Sequence, residues 1–173
     1  RGPVMISGNP GNFELIKKHY KHPFKCIVLL RDLMEVFASY MKWYTENPDA
    51  FPNKLGKTDE EKLMSLMYEE GAMVKQIKSI QNAKNYPDMC HFIKYDDLVS
   101  DPKNTFINLY QFLEEPYYPH YFQNLKQINI NDISYDDTVL GKNMHTIRPV
   151  VKKEINKYIV PEKIRQKYEH IKF

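Results

Sequence analysis

Hydrophobic positions along the chain fall into short unbroken blocks and longer stripes at helical spacing. The clearest block is Cys26-Ile27-Val28-Leu29-Leu30. Its lack of alternation predicts a strand from Lys25 to Leu30 buried on both faces, as in a parallel sheet. A second block predicts a buried strand from Met89 to Tyr95, and Val4-Met5-Ile6 a short one. The stripes predict helices. Asn12 caps one running to Tyr20, with Phe13, Ile16 and Tyr20 on one face, and His22-Pro23 ends it. Asp32, with Glu35 three residues on, opens another with Leu33, Val36, Phe37, Tyr40, Met41 and Tyr44 along one side. The capping box Thr58-Asp59-Glu60-Glu61 opens a long helix to about Asn82, facing inward with Leu63, Leu66, Met67, Val74, Ile77 and Ile80. Asp101-Pro102 starts a helix to Leu113, and a last one begins near Pro161 and closes the chain. The stretch from Glu46 to Lys57, with Pro48, Pro52 and Gly56, reads as a loop able to cover a site. Strands alternating with helices make the chain α/β.

Composition narrows this picture. At 173 residues the chain is expected to be one domain with a real core. The net charge of +3 suits an anionic small ligand as well as no ligand, and is too weak to argue for nucleic acid. Cys26 and Cys90 fall in strands predicted to be neighbours, so free buried thiols and a cytoplasmic type of compartment are expected. No apolar run approaches the roughly 18–20 residues of a membrane span, and no signal-peptide pattern is present. The first residues already read as the inside of a fold, so a further segment is expected upstream of Arg1.

The candidate chemistry begins with Arg31 and Ser39. Arg31 ends a buried strand, where open α/β sheets bind ligands, and Ser39 lies two turns into the following helix. A guanidinium fork, a hydroxyl and helix N-terminal N–H groups together suit a phosphate resting on the strand-to-helix turn. The competing role for Arg31 is an ion pair with Asp32 or Glu35, and on spacing alone that role is favoured.

Leu30-Arg31-Asp32-Leu33-Met34-Glu35-Val36-Phe37-Ala38-Ser39-Tyr40 resembles the 3′-phosphate-binding signature of sulfotransferases that use 3′-phosphoadenosine-5′-phosphosulfate (PAPS). Phe92-Ile93-Lys94-Tyr95-Asp96-Asp97-Leu98-Val99-Ser100-Asp101-Pro102 is similar to that family's strand followed by Tyr-Glu-Asp-Leu and a proline. The helix ending Tyr110-Gln111-Phe112-Leu113 matches the family's next helix. Upstream, Gly8-Asn9-Pro10-Gly11-Asn12-Phe13 is similar to the Asp-Lys-x-Pro-x-Asn stretch of the tyrosylprotein and glycan branch, keeping Pro and Asn but not Asp-Lys. The resemblance covers roughly residues 8 to 113. It implies a three-layer α/β/α fold of the P-loop-kinase type with a parallel sheet. It implies transfer of a sulfuryl group from PAPS to a hydroxyl or amine of a small-molecule, glycan or peptide acceptor, leaving 3′-phosphoadenosine-5′-phosphate (PAP). Arg31 and Ser39 would bind the cofactor's 3′-phosphate, Tyr95 would lie beside the adenine, and Arg148, in a late basic loop, would add a second phosphate contact.

Two departures qualify the resemblance. The family's phosphosulfate-binding loop has no counterpart between Arg1 and Phe173 and is expected to precede Arg1. Sulfuryl transfer also needs a base for the acceptor's proton, and no residue is assigned to it; His19, His22 and His145 read as ordinary histidines. The histidines and cysteines show no zinc spacing, and no metal is expected. Two alternatives stay open. One is a phosphotransferase of the same fold, with Asp96-Asp97 holding magnesium; the other is a non-catalytic module that keeps only PAP binding. The aromatic stretch from Tyr117 to Phe122 is a candidate acceptor wall.

Overall fold

In the computed structural model, which describes residues 11–21, 24–48, 56–69, 71–126, 147–153 and 155–173, the two apolar blocks form adjacent parallel strands. β1 is Cys26–Leu30 and β2 is Cys90–Lys94, paired in register from Cys26 opposite Cys90 to Leu30 opposite Lys94. Lys25 lies just before β1, its ammonium on the Phe112 carbonyl (2.5 Å) and the Glu114 carboxylate (2.6 Å). Ile27 and Leu29 are 48% and 55% exposed, so β1 is not buried on both faces as its composition predicts. Among the described residues β1 pairs with β2 alone, which leaves its side chains less covered than in a wider sheet.

The connection between the strands is helical. α1 (Asn12–His19) precedes β1, with Gly11 and not the expected Asn12 at its cap position, and α2 (Leu33–Glu46) follows β1 directly. Asp32 caps α2 as expected, its Oδ1 accepting from the N–H groups of Met34 (2.9 Å) and Glu35 (3.2 Å). The predicted long helix from Thr58 is two helices, α3 (Asp59–Leu66) and α4 (Ala72–Ala83). The capping box at Thr58 and Glu61 forms as expected, but the helix breaks before Gly71. There the N–H of Gly71 donates to the Tyr68 carbonyl at 2.7 Å. A Cβ at Gly71 would collide with the Leu66 carbonyl, so only glycine fits this turn. The break also resets the helical phase, and Met73 is buried where a continuous helix would have favoured Val74.

Tyr95, predicted to end the second strand, instead opens the short helix α5 (Tyr95–Ser100). α6 (Pro102–Leu113) carries the expected Asp101 cap, which accepts from the Asn104 N–H at 3.3 Å. α7 (Glu162–Tyr168) ends earlier than the pattern suggests, and residues 171–173 run on without helix. The main core joins Leu33, Phe37, Met41 and Tyr44 of α2 to Leu63 and Leu66 of α3, Met73 of α4, and Val160 and Ile164 near the C-terminus. A smaller cluster packs Phe13 and Ala83 onto Cys90, with Cys26, Val28 and Phe92 against it. Across the sheet, Phe112 of α6 stacks on His91 with ring centres 5.0 Å apart. No helix among the described residues is long and apolar enough to cross a membrane. The predicted strand at Val4-Met5-Ile6, the Gly8-Asn9-Pro10 match, His22, His145 and most of the loop from Glu46 to Lys57 lie outside the described residues.

Candidate functional site

The register of β1 and β2 decides what meets at their C-terminal ends. Leu30 faces Lys94, so the next residues, Arg31 and Tyr95, emerge side by side. The Arg31 guanidinium lies over the Tyr95 ring, its carbon 4.4 Å from the ring centre, a cation–π contact that fixes the plane of the fork. Its Nε sits 3.4 Å from Oε2 of Glu35, one turn into α2, with the two side chains 29% and 30% exposed. The ion pair foreseen as the competing role of Arg31 is therefore present, but it is long and uses only the inner nitrogen. Among the described residues the two terminal amino groups of Arg31 make no hydrogen bond. That edge is the one that grips a phosphate or carboxylate bidentately.

A cleft of about 180 Å³ opens here. Its floor is Leu30, Arg31 and Asp32 on one strand end and Lys94, Tyr95 and Asp96 on the other. Ile171, Lys172 and Phe173 close one side. Lys94 has no ion pair among the described residues, and Lys172 lies 3.7 Å from the second oxygen of Asp32. Free N–H groups at the start of α2 are fewer than the sequence suggests, because the Asp32 carboxylate already takes those of Met34 and Glu35. The cations lining the cleft are Arg31, Lys94 and Lys172, beside the carboxylates of Asp32 and Asp96.

The remaining sequence-derived candidates are placed as follows. Ser39 is half-buried in α2, one turn beyond Glu35 and about 9 Å along the axis from the helix start. It does not line the cleft. Arg148 is exposed in the segment 147–153, beside the antiparallel bridge between Gln123 and Val150, and does not line the cleft either. His19 is exposed on α1. The aromatic stretch from Tyr117 to Phe122 gathers around His120 against α6, with Tyr110 Oη 3.0 Å from His120 Nε2 and the Phe106 ring 4.6 Å away. Cys26 and Cys90 are free thiols facing each other at the opposite end of the strands. Burial raises both, Cys90 to about 11.

Sequence reasoning missed Lys153. Its Nζ lies 2.6 Å from Oδ1 of Asp96 and 2.7 Å from Oε1 of Glu35, tying the start of α5 to the first turn of α2. The hydrogen bonds it donates to Asp96 and Glu35 raise its ammonium well above the ordinary lysine value. No local motif marks this lysine; the nearest signal was the expectation that a late basic segment reaches the site, and that expectation was attached to Arg148. No cluster of metal-ligating side chains occurs among the described residues.

A family model described as the sulfotransferase family matches residues 7–120, more than half of the chain. Neither the curated proteins nor the solved structures contain a match.

Proposed function

The chain belongs to the sulfotransferase family, and from that premise we propose that it uses PAPS as donor and passes the sulfuryl group to a hydroxyl or amine of an acceptor. The observation that carries this reading is the open outer edge of the Arg31 guanidinium, stacked on Tyr95 at the ends of two parallel strands. The site residues fit the nucleotide's anionic end: a planar fork backed by an aromatic ring, with Lys94 and Lys172 lining the same cleft. In this reading Arg31 holds the 3′-phosphate, and Ser39, one turn beyond Glu35 on α2, donates its hydroxyl to it. Tyr95 supports the guanidinium from below and borders the adenine. Arg148 supplies a further phosphate contact from the segment that also carries Lys153. The donor, when bound, provides the sulfuryl group; the acceptor is a small molecule, a glycan or a peptide. The three-layer fold of the P-loop-kinase type belongs to the same proposal. It is supported by α1 and the end of α4 packing near Cys26 and Cys90, while Phe112 stacks on His91, a neighbour of Cys90 on the opposite face of the strand.

The phosphotransferase alternative would place magnesium on Asp96-Asp97, and the 2.6 Å ion pair of Asp96 with Lys153 speaks against that use of Asp96. Titration calorimetry with PAP and with adenosine-5′-monophosphate tests the reading through its central residue. PAP should bind more tightly, and Arg31→Ala should weaken PAP by roughly 30-fold, about 2 kcal/mol for a lost charge-assisted contact. The monophosphate should be little affected by that change. Equal affinity of the unaltered protein for the two nucleotides would remove the basis for a 3′-phosphate site.

A further inference from the structure

Glu35 stands in an awkward place for an anion site. Arg31 precedes the helix and meets Glu35 at 3.4 Å, and Ser39 lies one turn beyond Glu35 on α2, so a phosphate shared by Arg31 and Ser39 would lie beside the Glu35 carboxylate. An uncompensated carboxylate there would repel the phosphate and would also be free to close fully on Arg31. In this structure Glu35 does not close fully on Arg31. Oε1 of Glu35 is taken by Lys153 at 2.7 Å, and only Oε2 reaches Arg31, at 3.4 Å and through Nε alone. The same ammonium holds Asp96 at 2.6 Å, the acidic residue next to Tyr95. Both carboxylates flanking the Arg31–Tyr95 stack are thereby engaged by one cation from a distant part of the chain.

The segment delivering Lys153 is itself anchored. The Val151 N–H donates to the Phe122 carbonyl at 3.0 Å, and the Leu125 N–H to the Pro149 carbonyl at 2.9 Å. Residues 122–125 are in turn tied to the aromatic group around His120 on α6 through the ring of Phe122. The lysine thus arrives on a strap with a fixed origin.

We infer that Lys153 is a positioning residue for the anion site: it occupies Glu35 and Asp96 so that the outer edge of Arg31 stays open to the ligand. The inference rests on the reading that Arg31 binds the 3′-phosphate, but it has a consequence that needs no nucleotide. Phenylglyoxal modifies accessible guanidinium groups, and peptide mass mapping isolates its rate at Arg31.

Four proteins are compared: the unaltered chain, Lys153→Met, Glu35→Gln, and the double variant Lys153→Met with Glu35→Gln. Lys153→Met should weaken PAP about fivefold, the scale of one partly exposed charge pair, and slow Arg31 modification. The double variant should restore both, a rescue that a merely structural lysine would not show. Glu35→Gln alone should bind PAP at least as well as the unaltered chain, and it decides the matter if Lys153→Met melts early. Unchanged PAP binding in Lys153→Met, no rescue in the double variant, or weaker binding in Glu35→Gln each overturns the inference. If the unaltered chain does not bind PAP, the 3′-phosphate reading fails on its own, and the modification rates still decide the role of Lys153. Slowing and rescue support it, and equal rates overturn it.

Discussion

Arg31 shows how one residue type serves two demands at once. Its inner nitrogen steadies the first turn of α2 through Glu35, while its outer edge and π-face are left to Tyr95 and the cleft. The choice foreseen from spacing, an ion pair or a phosphate ligand, was therefore not exclusive. A guanidinium has enough donors for both. The thiols at the other strand end illustrate the opposite case, groups whose chemistry the fold suppresses. Cys90 is raised from 9.0 to about 11, first by burial and then by Cys26 opposite it. A raised acid holds its proton longer when folded than when unfolded, so this contribution is fully present below pH 9 and is lost as pH climbs towards 11. Denaturation midpoints measured from pH 8 to 11 should therefore fall, and Cys90→Ala should flatten that fall. An identical slope in the variant would show that the thiol takes no part. Below pH 9 both thiols should also react slowly with alkylating reagents unless the chain is unfolded.

At the scale of elements, three capping signals were legible, while the cap of α1, at Gly11 and not at the expected Asn12, and the break between α3 and α4 were not. Asp32, Thr58 with Glu61, and Asp101 with Pro102 each start a helix where their side chains predict, because a cap is satisfied within a few residues of sequence. The turn before Gly71 depends instead on how the Leu66 carbonyl approaches the glycine, a contact with no hydrophobic signature. Gly71→Ala should therefore destabilise the chain by more than about 1 kcal/mol, although alanine is the better helix former. The readout is the melting temperature, expected to fall by several degrees. A rise would mean that the break can close into one continuous helix. Tyr95 is the second element-scale lesson. A tyrosine after an apolar block reads as the end of a strand, yet it begins α5, and that placement turns its ring under Arg31.

At the scale of the molecule, the C-terminal segment is what joins the parts. Ile164 of α7 is fully buried among Phe37, Leu63 and their neighbours, while residues 171–173 close the cleft beside Arg31. Ile164→Ala should cost about 3 kcal/mol, a large share of the roughly 5–15 kcal/mol that separates folded from unfolded domains. Chemical denaturation measures this, and a loss below about 1 kcal/mol would mean that α7 is not part of the cooperative core. The same element then links stability to the site, since a loosened α7 releases the wall formed by Lys172 and Phe173. What the amino-acid order determined alone was local: two apolar strands, the capped starts of the helices, and an arginine and a tyrosine at strand ends within a recognisable family pattern. Those features depend on contacts within a turn or on the apolar content of a short block. Only the tertiary structure decided which charges face one another. Lys153 meets Glu35 and Asp96 across 118 and 57 positions, and Lys172 reaches Asp32 from the far end. A lysine on an exposed stretch looks alike wherever it will land, because its partner is chosen by the path of the backbone through space.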